Sequence, residues 1–200
     1  AAERVTFKGT LVQGGLVQGQ VPPGTAVRVD GRPARVSPDG IFLVGAGREA
    51  KTVALEIAYP DGTREARPLA VQSRQFAIQR IDGLPEKMVT PPPEVQARIK
   101  AEGEMVREVR KRDDARLDFH VAFDWPVTGR ISGVYGSQRI LNGEPRAPHY
   151  GVDVAGPVGT PIRAPAAGIV TLAADLYFTG WTVILDHGHG LSSVFMHLDS

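Results

Sequence analysis

The chain has 200 residues, 42% of them hydrophobic and 22% charged, and 23 Lys and Arg against 22 Asp and Glu leave a net charge of +1. That composition is globular, excludes a mostly disordered chain, and argues against a nucleic-acid binder that works through bulk charge. No apolar run approaches the roughly 20 residues that cross a bilayer. Cys is absent, so any metal must be held by His, Asp or Glu. The 23 Gly and 16 Pro point to many turns and short strands, and hence to a mainly β chain.

The first residues, Ala1-Ala2-Glu3-Arg4, lack an initiator Met. They are either a mature end left by signal cleavage after small residues or a boundary within a longer sequence. From residue 4 to about 82 short strands are expected. Val5 and Phe7 alternate with polar neighbours, and Val53, Leu55 and Ile57 do the same before the turn Pro60-Asp61-Gly62. Val27 and Val29 run into Gly31-Arg32, and Pro38-Asp39-Gly40 precedes the apolar run Ile41–Val44. Turn signals every 8–12 residues or so favour a small β-sandwich of immunoglobulin-like type. The doublet Leu11-Val12-Gln13-Gly14 and Leu16-Val17-Gln18-Gly19 is too short for an architectural repeat and reads as strand and turn. Phe7, Phe42, Tyr59 and Phe76 read as core rather than as a glycan platform.

Gly83, Pro85 and Pro91-Pro92-Pro93 mark a linker, and a helix is expected from about Pro93 to Arg112. Val95, Ile99, Val106 and Val109 fall roughly on one face. Glu94–Arg98, Lys100–Glu104 and Glu108–Arg112 are opposite charges four apart. Gly103 costs that helix about 1 kcal/mol relative to Ala, so it needs packing. The basic run Arg107, Arg110, Lys111, Arg112 reads as a solvated face or as a contact for an anionic partner. Strands return at Val134-Tyr135, Val152–Val154, Gly168–Leu172, Thr182–Leu185 and Ser193–Met196. On this alternation Ser193, Phe195 and His197 share one face, and Val194, Met196 and Leu198 the other, apolar one. The domains are therefore expected at 1–82 (β-sandwich-like module), 83–116 (linker and helix) and 117–200.

Four of the five His lie in the last 52 positions: His149, His187, His189 and His197. Lone His120 is most simply structural or surface. His149 and Asp153 are four apart, a spacing that puts both on one side of a strand or a helix, where they can address one ion. Gly151 between them is expected to spare the pair a crowding side chain. Imidazole with carboxylate suits Zn²⁺, although a bare pair at this spacing also occurs without a metal.

The neighbouring motifs run in order: Tyr135-Gly136-Ser137-Gln138-Arg139, Asn142-Gly143, Pro148–Ala155, Gly159–Val170, Asp186–Leu191 and Phe195-Met196-His197-Leu198. Over about residues 125–200 this series resembles the lysostaphin- and LytM-like zinc endopeptidases, metallopeptidase family twenty-three. The resemblance implies a compact antiparallel β fold with one zinc in a groove, so that residues 117–200 are the N-terminal portion of a peptidase domain. It implies His149 and Asp153 as zinc ligands and His197 as the group that acts on the water or the developing oxyanion. It places the third ligand in a downstream His-x-His segment, expected beyond Ser200, so the 200-residue chain alone is expected to be incomplete and inactive. His187-Gly188-His189 has the right letters but reads as the tip of a hairpin. His197 would then lie about 23 Å along the strand at ~3.3 Å per residue, too far for one ion to bind both.

The implied activity is zinc-assisted hydrolysis of amide bonds in peptidoglycan peptides by an exported protein of the periplasm or cell envelope. Gln138, Arg139 and Asn142 either line the groove or are polar loop residues. Two other readings remain open at this stage. One is a non-catalytic envelope protein of the same fold that binds or activates another cell-wall hydrolase. The other is an N-terminal module that binds glycan or occludes the groove. No nucleic-acid partner is expected, and oligomeric state is not legible.

Overall fold

The computed structural model describes residues 4–83 and 93–200; most of the expected linker lies outside them. The chain forms two compact units. The first comprises the residues up to Ala77 together with Tyr135–Gln138. Strands β1 (Thr6–Lys8), β2 (Leu16–Gln20) and β5 (Ile41–Gly45) form one antiparallel sheet in the order β1-β2-β5. Strands β3 (Ala26–Val29), β4 (Arg32–Ala34), β6 (Thr52–Ala58) and β7 (Arg64–Ala70) form the second, in the order β4-β3-β6-β7.

Both sheets turn their apolar residues onto one core, as alternation requires of strands buried on one face. Val17, Phe42 and Val44 come from one sheet and Val27, Val53, Leu55 and Ile57 from the other. Phe42 is fully buried, with Phe7 edge-on to it at 6.0 Å. Gly19 is required opposite it, because a Cβ there would stand 2.3 Å from the Phe42 ring. The β3–β4 connection is a two-residue turn, Asp30-Gly31, with φ of 47° and 73°, which matches the strand twist. Two packed sheets of short strands are thus what the turn spacing predicted. Phe76 departs from expectation. It stacks on Tyr135 at 6.2 Å beneath the Arg48 guanidinium instead of joining the core, and Arg48 donates two hydrogen bonds to Gly136 O.

The second unit comprises Ile78–Val134 and Arg139–Ser200. A 3-10 turn at Pro93–Val95 leads into α1 (Gln96–Val109). Strand β8 (Ile78–Ile81) lies beside β10 (Gln138–Leu141), which pairs with β11 (Glu144–Pro145). Strand β9 (Arg130–Gly133) pairs with β12 (Asp153–Ala155). The largest sheet is a meander of β13 (Ile169–Leu176), β14 (Gly180–Asp186) and β15 (Ser192–Leu198). Val106 and Val109 of α1 pack against Leu172, Leu176 and Ile184, and this is the packing a Gly-containing helix needs.

Three expectations are corrected here. Val134-Tyr135 is not a strand: pairing ends at Gly133, and Tyr135-Gly136 is a turn with Gly136 at φ 83°. The ion pairs on α1 are Arg98–Glu102 and Glu108–Lys111 rather than the three expected. Glu102 is favoured because its second oxygen accepts the Tyr177 N–H at 2.8 Å. The helix ends at Val109, so Arg112 leaves helical register and reaches Asp186 instead of joining a solvated face.

That contact belongs to a charge cluster centred on the buried Asp186 carboxylate. The Asp186 carboxylate accepts from Arg112 Nε (2.7 Å), Arg116 Nη2 (2.9 Å) and the Gly188 N–H (3.0 Å). Arg116 also donates to Asp186 O, and the His189 N–H donates to Asp114 O at 2.7 Å. Gly188, at φ 92°, tolerates no side chain, since a Cβ would stand 1.9 Å from Arg116 O. The Arg116 N–H, then the Arg112 guanidinium, hold the Asp114 carboxyl below the usual carboxylate range.

Candidate metal and catalytic site

The end of β9 is the platform on which His149 and Asp153 meet. His149 Nδ1 lies 3.2 Å from Val134 O. A carbonyl can only accept, so Nδ1 carries a proton, and in the neutral ring Nε2 keeps its lone pair. That lone pair points at Asp153, with Nε2 3.2 Å from Oδ1. Two acceptors so close are held together by a shared cation or proton. A histidine whose far nitrogen is tied to a carbonyl is also the usual outer-shell arrangement of a metal ligand. The pair therefore fits a cation that takes nitrogen and oxygen donors, such as Zn²⁺. Among the described residues, no group of three or more His, Asp or Glu forms around it.

The glycine that matters to this pair is Gly133, not Gly151. A Cβ at Gly151 would sit 3.7 Å from His149 Nε2, an ordinary contact. A Cβ at Gly133 would stand 2.1 Å from Asp153 Oδ2. The sequence showed Gly133 only as one glycine among many; its pairing opposite Asp153 became visible with the β9–β12 register.

His187 and His189 occupy the turn between β14 and β15, as the hairpin reading expects. His187 is fully buried, with Nδ1 2.6 Å from Ala167 O and Nε2 2.8 Å from Ser193 Oγ. Nδ1–H donates to the carbonyl and Nε2 accepts from the hydroxyl, so both nitrogens are spent and no lone pair remains for a metal. His189, at φ 52°, lies against the Phe119 ring at 5.1 Å. His120 is exposed.

His197 departs from the predicted strand face. Val183 pairs with Phe195 and Trp181 with Leu198, so Thr182 alone on β14 faces both Met196 and His197 on β15. This is a β-bulge, and it changes the parity of the strand. Because directly paired residues point to the same side, Leu198, not His197, continues the face of Phe195. His197 is exposed at φ 59°, Met196 is 48% exposed, and of the expected apolar face it is Val194 that packs inward.

A cleft of ≈ 370 Å³ lies on the same unit, walled by Phe123, Trp125, Pro126, Pro165, Ser193 and Phe195. It is built by backbone hydrogen bonds from Asp124 N to Pro165 O and from Arg163 N to Pro126 O. His187 anchors the Ser193 wall. Sequence reasoning did not single out Phe123 or Trp125; a pair of aromatics beside Pro126 in a Gly-rich, aromatic-poor chain was the available signal. Arg139 lies on β10, and Asn142, at φ 50°, in the turn that follows.

Comparison with known proteins accounts for this arrangement. Residues 147–200 match the model of Peptidase family M23. Fifty-two residues are 36% identical to the DD-carboxypeptidase/endopeptidase Mpg of Neisseria meningitidis serogroup B, and 70 residues are 33% identical to the peptidoglycan DD-endopeptidase ShyA of Vibrio cholerae serotype O1. These stretches cover 26% and 34% of this chain but only 12% and 16% of those proteins. A solved Pseudomonas aeruginosa structure assigned to peptidase M23 superposes with a TM-score of 0.69 at 30% identity, covering 95% of this chain and 75% of its own. With that identity and coverage, the chain belongs to peptidase family M23.

Proposed function

We propose that this chain is part of an exported, zinc-dependent endopeptidase that hydrolyses amide bonds in peptidoglycan peptides at the cell envelope. The observation that carries the reading is the His149–Asp153 pair, with the imidazole Nε2 3.2 Å from a carboxylate oxygen. The names of the relatives, a DD-carboxypeptidase/endopeptidase and a peptidoglycan DD-endopeptidase, support the substrate class.

A bound Zn²⁺ supplies Lewis-acid polarisation of the scissile carbonyl and a water whose pKa is lowered toward ~7. His149 and Asp153 would hold it, with the Val134 carbonyl fixing the imidazole tautomer and Gly133 clearing space for the carboxylate. His197 would accept a proton from the attacking water and return it to the leaving amine, the task of a general acid and base. The aromatic walls of the cleft bury apolar parts of a peptide and exclude water around them.

The test is made on the protein extended through the downstream His-x-His segment that the family resemblance implies. His149→Ala should lose stoichiometric zinc by elemental analysis, and turnover of purified peptidoglycan with it. His197→Ala should keep zinc and folding but lose roughly 10²–10⁴-fold in turnover. Full metal retention in His149→Ala would refute the ligand assignment. Normal folding and zinc content with no turnover by the parent protein would favour a non-catalytic envelope role.

A further inference from the structure

We propose that Thr179 and Thr182 are positioning residues for His197, acting through the backbone of the β15 bulge; this rests on the reading of His197 as the general acid and base. The motive is a conflict in the backbone. His197 sits at φ 59°, a left-handed conformation that is uncommon for residues with a Cβ, although His, Asn and Asp adopt it more readily than the others. Such a residue stays there only when its surroundings over-determine it, and bulges of this kind re-aim side chains beside active sites.

The surroundings that do so are polar and mostly out of water. The His197 N–H, which the bulge removes from the regular ladder, donates to Thr179 O at 2.8 Å. Thr179 belongs to the turn between β13 and β14, so the turn replaces the missing strand partner. Thr182, the single residue facing the bulge, is 1% exposed. Its hydroxyl donates to Gly180 O at 2.9 Å and lies 2.7 Å from the Thr179 hydroxyl. Thr182 has one hydroxyl proton, and the Gly180 carbonyl takes it. Thr179 must therefore be the donor to Thr182. The order is fixed: Thr179 Oγ1–H to Thr182 Oγ1–H to Gly180 O. This chain of hydrogen bonds pins the Thr179 peptide, and the Thr179 carbonyl in turn holds the His197 N–H.

An isosteric Val at either threonine keeps the volume and removes the link. A Ser at 182 keeps the link and removes one methyl. Amide hydrogen exchange of the chain reads the backbone without reference to activity. In Thr182→Val and Thr179→Val the His197 amide should exchange about tenfold faster while Val183 and Phe195 keep their protection. Thr182→Ser should restore the parent rate. In the extended protein, Thr182→Val should lose about tenfold in kcat with KM and zinc content unchanged. An unchanged exchange rate at His197 in both Val variants overturns the proposal. So does loss of protection spread equally over Val183 and Phe195, which would make the threonines merely structural. Failure of the underlying reading looks different: His197→Ala would then turn over normally, whatever Thr182→Val does.

Discussion

Replacing Asp186 by Ala tests the charge cluster that ties the segment after α1 to the β14–β15 turn. The carboxylate is 4% exposed, while the Arg112 and Arg116 side chains that bond it are 44% and 27% exposed. Water can therefore resolvate much of Arg112 when its partner is removed, so that bond adds little, as exposed ion pairs do. Arg116 is more enclosed, and losing its charge-assisted bond costs about 1.5 kcal/mol. The buried Gly188 N–H is left without its acceptor, at about 1 kcal/mol more. The total near ~2.5 kcal/mol corresponds to a fall of roughly 5–10 °C in Tm for a chain of this length. Thermal unfolding followed by circular dichroism measures it. Double-mutant cycles should give Asp186 a larger coupling to Arg116 than to Arg112. A fall of less than about 2 °C, or the reverse order of couplings, would refute the burial argument.

The Tyr177 N–H, then the Arg98 guanidinium, hold the Glu102 carboxyl below its usual range. Its stabilisation is thus complete above the unfolded value near ~4.3 and is lost as pH falls through the lower folded value. Between about pH 5 and pH 3, Tm of Glu102→Gln should fall less steeply than that of the parent, and parallel curves would contradict this linkage. His197→Gly should raise Tm by about 2–3 °C, because glycine removes a left-handed penalty of about 1–2 kcal/mol and adds back part of it as unfolded-state entropy. A lower Tm would mean the bulge is not strained.

Much of the fold was legible because its determinants are local. The alternation of Val53, Leu55 and Ile57 fixes β6 without reference to the rest of the chain, and Gly31 marked the turn after Val29, although the turn pair is Asp30-Gly31 and Arg32 already belongs to β4. The His149–Asp153 pair was legible for the same reason, since four residues separate two groups that converge. What escaped depends on pairing across the chain. Residues 193–198 alternate smoothly in sequence, and only the register against β14 reveals that Thr182 faces two residues. Asp186 gave no sign of burial because its partners lie 70 and 74 residues away. Val134 and Tyr135 have strand-forming side chains, but Gly136 imposes a turn, and Val134 serves the site through its carbonyl, which no side-chain pattern can announce.

The bulge at His197 also changes what the rim of its sheet offers to other chains. Among the described residues β15 is the outer strand of the β13-β14-β15 sheet. A flat outer strand is a template for pairing with any extended chain, whether substrate peptide or misfolded neighbour. Up to Phe195 the rim keeps a regular spacing of N–H and C=O groups, but at Met196–His197 the extra residue kinks it and throws later groups out of step. A strand laid along β15 could stay in register only as far as the bulge. Runaway edge-to-edge assembly is thereby interrupted at the residue on which hydrolysis is proposed to depend.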